Sequence, residues 1–363
     1  MYVEWFLGLL LVVLALLGYA ISGIVWQNVI FRRHYKKFAN VWTSAQTSLL
    51  RGDVPEITRN YLSKGVQRAV LATYLFLKDP SKDFVFLNFL EPTLYPCSAE
   101  AVGECVSKIP SHMDRGYNRN FMLGIVRSSV FLSRSTSRWK HRRRVATTSL
   151  QFNRSSQYVP MIQEKARQHT ERWVKSGEIE FPPAASDLTF SVITRVIFGT
   201  DLQLERSFSY EDKAGAIHAV TLHEMLVSCV RDAARDTLSP LNLLSTVFER
   251  LNVGSETRRC KRNNARLHAG ICEVLKKDEL AGDSVFKQIQ DSYPDHRQLA
   301  DDLFVLLFAG HDTSAHALTA AIFRALKHPE ERAKVQKELD TLLEGRSLSD
   351  ITLAEIQELT YFG

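Results

Sequence analysis

Apolar and polar residues alternate in three different ways along this chain. From Trp5 to Phe31 no charged residue occurs, and Leu, Val, Ile and aromatic side chains dominate. Such a run predicts one uninterrupted helix, and about 20 apolar residues suffice to span a bilayer. Residues 84–96 (Phe-Val-Phe-Leu-Asn-Phe-Leu-Glu-Pro-Thr-Leu-Tyr-Pro) read as two short strands around Glu91-Pro92. Beyond them the helical period of three to four takes over. Tyr158, Ile162, Ala166, His169 and Trp173 define one helix ending at Gly177. Leu188, Val192 and Val196 define another, from Asp187 to Gly199. Helices are expected over about Glu211–Thr237, from Ser255 to near Gly282, and over Asp295–Lys327. Pro329 opens the next helix, and Thr352-Leu-Ala-Glu355 forms a capping box. The soluble part is therefore mostly α with a small β portion.

Charge locates the ends of the apolar span. Trp5 and Trp26 sit where an aromatic belt belongs, and Arg32-Arg33-His34-Tyr35-Lys36-Lys37 follows at once. A signal peptide has a basic start and a shorter apolar core; this one carries Glu4 and is too long. The expectation is a retained anchor over residues 1–31, with residues 32–363 on the cytosolic side by the positive-inside rule. The net charge of +6 is concentrated in that run, in Arg138–Arg144 and in Arg258–Arg262. Basic clusters suit an anionic membrane, an acidic partner or nucleic acid. No nucleic-acid recognition motif or zinc spacing accompanies them. The five cysteines are scattered, with no Cys-x-x-Cys, which points to a reducing compartment.

One segment breaks the rules of a packed helix. Leu303–Phe323 is apolar on all sides in its first half, yet Gly310, Asp312, Thr313 and Ser314 stand at its middle. All four are poor helix-interior residues. Thr313 and Ser314 can bond back to carbonyls four residues earlier and bend the helix. Such violations in a core helix point to a functional site. Ala309-Gly310 lacks bulk, so a flat ligand could approach the backbone there. Thr313 offers a hydroxyl, and Asp312 a carboxylate able to feed it protons. A solvent-facing amphipathic helix is the plainer alternative.

Ala309-Gly310-His311-Asp312-Thr313-Ser314 resembles the central-helix signature of cytochromes P450, and Lys327-His328-Pro329-Glu330 follows at that family's usual place. Trp139-Lys-His-Arg-Arg143, with Phe152 downstream, is similar to the family's Trp-x-x-x-Arg helix. Asp187–Gly199 resembles a further family segment. The resemblance implies the cytochrome P450 fold over 32–363, with the oxygen-activating helix at about 295–327, preceded by one transmembrane helix of the endoplasmic reticulum. It implies haem b, with Trp139 and Arg143 against the propionates and Ala309 and Gly310 along the ring. Asp312 and Thr313 would deliver protons to dioxygen. Arg142, with Lys140 and Arg144, is expected on an exposed basic face, and His311 and His316 as ordinary helix residues. The implied partners are an NADPH-cytochrome reductase, an apolar small-molecule substrate and membrane lipid, without nucleic acid. The family's Glu-x-x-Arg pair is not found after the central helix, since Glu164-Lys-Ala-Arg167 and Glu256-Thr-Arg-Arg259 both precede it; the Phe-x-x-Gly-x-Arg-x-Cys-x-Gly loop is not found either, and none of the five cysteines has Gly two residues later. The iron-ligating Cys is expected beyond Gly363, the chain being incomplete at its C-terminus. The expected activity is a haem-dependent monooxygenase; the alternative is a catalytically silent, membrane-anchored interaction protein on the same scaffold.

Overall fold

The computed structural model describes residues 2–35, 37, 41–43, 59, 83–88, 91–96, 98–109, 111–114, 125–126, 129–150, 156–201, 208–238, 255–275, 284–347 and 350–361. The chain divides into two compact units, Met1–Asp114 and Arg115–Gly363. The boundary expected after residue 31 thus falls inside the first unit.

In the first unit, α1 runs unbroken over Tyr2–Tyr35, about 50 Å at 1.5 Å per residue. Several of its side chains lie outside the described set. Among the described residues no helix is long and apolar enough to cross a membrane, so the expected span is taken up below as a proposal. Strands β1 (Val41–Thr43), β2 (Asp83–Asn88) and β3 (Glu91–Tyr95) form one sheet. β1 pairs parallel with β2, and β2 antiparallel with β3, with Asn88 opposite Glu91. The reversal expected at Glu91-Pro92 therefore comes earlier, and both residues open β3. Pro92 at a strand's second position follows the rule that confines proline to strand starts and edges. Helix α2 (Ala99–Ser107) is capped by the Ser98 hydroxyl.

The second unit begins its helices with α3 (Ser137–Ser149), whose N-cap Thr136 accepts from Trp139 N. Phe152, expected to follow this helix, lies outside the described residues. α4 (Val159–Ser176) ends at Gly177, where φ is 75°. α5 spans Phe181–Phe198 and stops at left-handed Gly199. It starts six residues before the expected Asp187. Pro182 and Pro183 lie in its first turn, where no backbone N–H is needed. The long helix expected from Glu211 is shorter, and a hairpin precedes it. β4 (Phe208–Glu211) pairs antiparallel with β5 (Ile217–Val220) before α6 (Leu222–Leu238). The turn is local chemistry: Gly215 takes φ 86° and the Asp212 carboxylate accepts from Ala216 N.

α7 (Ser255–Leu275), α8 (Val285–Ile289), α9 (His296–Lys327), α10 (Pro329–Leu343) and α11 (Leu353–Gln357) complete the unit. Asp295 caps α9 by accepting from Arg297 N. The capping box of Thr352 and Glu355 forms as expected from the sequence. α9 is the centre of this unit. Its N-terminal half is buried on every side (Leu299, Ala300, Leu303, Phe304, Leu307), and α5 is its most extensive neighbour. Its C-terminal half is different: Leu318, Ile322, Phe323 and Leu326 are exposed. The change from buried to open falls at Ala309–Ser314, so the sequence anomaly sits at the edge of the core.

Candidate functional site

Ala309 and Thr313, one turn apart on α9, are both exposed, and Ser314 lies open beside them. The Thr313 hydroxyl donates to the Ala309 carbonyl at 2.8 Å, the back-bond expected of threonine inside a helix. Asp312 is half-buried, with its carboxylate 3.7 Å from Nδ1 of the exposed His316. Gly310 is placed differently from the expectation. A Cβ there would lie 2.6 Å from Cγ1 and Cδ1 of Ile193 on α5. Its missing side chain makes room for a neighbouring helix, and the open side of the turn belongs to Ala309 and Thr313. His311 is buried, its Nδ1 3.0 Å from the Leu307 carbonyl and its ring packed edge-on against Phe190 and His223. Burial holds its pKa below the usual histidine range.

On α3, Trp139 is buried and its indole N–H donates to the Val130 carbonyl at 2.7 Å. That bond fixes the orientation of the ring. Arg143 is exposed and lays its guanidinium 5.1 Å from the centre of the Trp139 ring, a cation–π contact. Arg142, expected on the solvated face, is buried instead. Its Nε and Nη2 donate to Asp302 Oδ2 at 3.0 and 2.7 Å. Asp302 also accepts from the Tyr293 hydroxyl at 2.7 Å and from Val130 N. Burial, reinforced by the Asp302 charge, pushes the Tyr293 phenol up. One carboxylate thus ties α3, the turn before it, the segment after α8, and α9 together. Adjacent helix residues point about 100° apart, which is why Arg142 goes inward while Arg143 goes outward with Trp139. Sequence reading missed Asp302. The available signal was Asp301-Asp302 inside the apolar run Leu299–Phe308, since a buried carboxylate demands a cation.

The residues present fit one side of a haem. Arg143 supplies an exposed guanidinium of the geometry that pairs with a carboxylate. Ala309 and Thr313 supply an open helix face of low bulk. Four of the five cysteines fall among the described residues. No group of three His, Cys, Asp or Glu among the described residues could hold a metal. Cys229 is buried, and burial pushes its thiol up to about 12, the opposite of a ligating thiolate. Cys105, Cys260 and Cys272 are only partly buried, and Cys97 lies outside the described residues. An open cleft of about 360 Å³ at the β4–β5 hairpin is lined by Tyr210, Asp212, Lys213, Arg231 and Asp232.

Comparison with known proteins agrees with this layout. A sequence profile of the cytochrome P450 family matches residues 111–362. Ent-kaurenoic acid oxidase 2 of Arabidopsis thaliana is 24% identical over 277 residues, covering 74% of this chain and 53% of the oxidase. Cytochrome P450 26C1 of Homo sapiens is 28% identical over 209 residues, 55% of this chain and 36% of that protein. The chain spans about half the length of the curated relatives it matches. A crystal structure of a cytochrome P450 (CYP102L1) superposes with a TM-score of 0.63 at 16% identity, covering 81% of this chain and 67% of that one. By the profile, the relatives and the fold together, this chain belongs to the cytochrome P450 family.

Proposed function

We propose that the chain is the membrane-anchored, N-terminal part of a haem-dependent monooxygenase acting on an apolar small molecule. The observation that carries this is the open turn Ala309–Thr313, where the central helix passes from its buried N-terminal half to its open half and turns a small residue and a hydroxyl outward. The haem, when bound, supplies the activation of dioxygen: one oxygen atom enters the substrate and the other leaves as water, with two electrons from NADPH through a reductase. The chain's own residues do the rest. Arg143 neutralises a propionate and orients the ring. Ala309 lets a flat molecule lie against the helix. Thr313 swings its hydroxyl proton off the Ala309 carbonyl and passes it on, while Asp312 at the solvent edge restores it. Helix α1 holds the protein in the endoplasmic-reticulum membrane, and Arg32–Lys37 keep the bulk on the cytosolic side.

Haem titration of the protein extended past Gly363 to include the iron-binding loop, followed by Soret absorbance, tests the assignment. Ala309→Trp fills the open face at an exposed position and leaves the core untouched; it should weaken haem binding at least tenfold. Arg143→Ala should weaken it by about tenfold, the value of one charge-assisted hydrogen bond. Parent-like binding in both variants would remove the haem from this face. No binding even by the parent would favour the catalytically silent scaffold.

A further inference from the structure

The back of the Ala309–Thr313 turn is more heavily built than packing a helix requires. Residues 310 and 311 point roughly 80° and 180° away from the middle of the 309/313 face, toward α5. Thr189 and Ile193, one turn apart on α5, meet them there. Ile193 fills the notch left by Gly310 so closely that a Cβ at that position would lie 2.6 Å from two of its carbons. The Thr189 hydroxyl is 3.0 Å from the His311 carbonyl. It also lies 3.0 and 3.1 Å from the carbonyls of Ala185 and Ser186. One proton serves three acceptors, and the bond to His311 is the one that crosses between helices.

His223 of α6 closes the other side. Its ring stacks on Phe190 at 4.6 Å and stands edge-on to His311 at 5.3 Å. It is held by Asp187 Oδ1 at 2.9 Å from Nδ1 and by Ser186 Oγ at 3.0 Å from Nε2. Ser186, His223 and Asp187 have the connectivity of a nucleophilic triad. The first turn of α5 offers no oxyanion site, since Pro182 and Pro183 have no N–H and Ala184 N bonds to the Glu180 carbonyl. The trio orients the His223 ring that walls His311.

We propose that Thr189, Ile193 and His223 are positioning residues for the oxygen-handling turn. They clamp α9 from behind at Gly310 and His311, so that Thr313 and Ala309 keep a fixed relation to what binds in front of them. This rests on the function proposed above. Gly310 is then a docking notch for α5, and the reacting side is left to Ala309, Asp312 and Thr313.

Amide hydrogen exchange in the full chain without haem, read by mass spectrometry over 305–316 and over α7, tests the clamp independently of activity. Gly310→Ala should speed exchange over 305–316 by about tenfold as Ile193 is forced away, with α7 peptides unchanged. Adding Ile193→Ala removes the clashing carbons and should return exchange to within about twofold of the parent. Thr189→Val should act like Gly310→Ala, and Thr189→Ser, which keeps the hydroxyl, should behave as parent. Equal acceleration in every peptide, or no change over 305–316, would overturn the clamp. In the haem-loaded protein, Thr189→Val should lower product formed per NADPH, as Thr313→Ala does. Full coupling in Thr189→Val with uncoupling in Thr313→Ala would defeat the positioning role alone. Full coupling in Thr313→Ala would defeat the function proposed for the turn, while the exchange result would still stand by itself.

Discussion

Replacing Asp302 with alanine would remove a carboxylate that three groups share. Arg142 and Asp302 have side chains 7% and 0% exposed, so the guanidinium would be left charged with little water. The Tyr293 hydroxyl and Val130 N–H would lose their acceptor as well. Breaking a buried ion pair from one side costs about 3–5 kcal/mol. Each further unpaired group adds about 1–3 kcal/mol, with incomplete additivity. A loss of about 4 kcal/mol lowers the melting temperature by roughly 8–16 °C in a domain of this size class. The pair itself need not be a net stabiliser. Arg142→Met with Asp302→Leu removes both charges and should recover much of the loss. It still leaves Tyr293 and Val130 unpaired, so adding Tyr293→Phe should recover more. The expected order of stability is parent, triple variant, double variant, then Asp302→Ala, read from urea midpoints and thermal melts. Asp302→Ala within about 1 kcal/mol of the parent, or a double variant no better than the single, would refute the reasoning.

Two further outcomes follow from the same structure. Burial, with Arg172 nearby, lowers the pKa of His169 to about 4 from 6.5. Its neutral form is the folded one, so the stability it contributes is complete above pH 6.5 and is lost as pH falls toward 4. Between pH 7 and pH 5 the parent should lose on the order of 2 kcal/mol that His169→Gln keeps; parallel urea midpoints in the two proteins would contradict this. For the anchor, alkaline carbonate should leave the protein in the membrane pellet, and deletion of residues 2–31 should release it; recovery of the parent in the supernatant would refute the span.

What the sequence made legible was whatever repeats or caps. The limits of α9, the Gly177 and Gly199 stops, the Pro329 start and the Thr352–Glu355 box were readable because each depends on neighbours within four residues. The β4–β5 hairpin was missed because Phe208–Glu211 is only four residues long and the α6 pattern follows at once, although Asp212 and Gly215 marked a turn. α5 starts before its apolar period becomes readable at Leu188, and the signal for its start was Pro182-Pro183, since prolines in a first turn start a helix. At the site, residue types were legible and directions were not. Arg142 and Arg143 are chemically equal in the sequence, and only the buried partner Asp302, 160 positions away, separates them. Gly310 announced a close approach correctly, but whether a cofactor or a helix approaches is a tertiary fact, here answered by Ile193.

The central claim concerns the open turn, and Thr313 tests it most directly. In the haem-loaded protein supplied with its reductase, the measurement is hydrogen peroxide released per NADPH consumed, compared between parent and Thr313→Ala. Thr313 is exposed and its hydroxyl bonds only within its own turn in the hydrogen bonding seen here, so its loss should leave folding and haem content at parental levels. A several-fold larger share of NADPH should end as peroxide in Thr313→Ala, because protons then reach oxygen without the hydroxyl that directs them. An unchanged share, with unchanged turnover, would contradict the assignment of this turn as the oxygen-handling site.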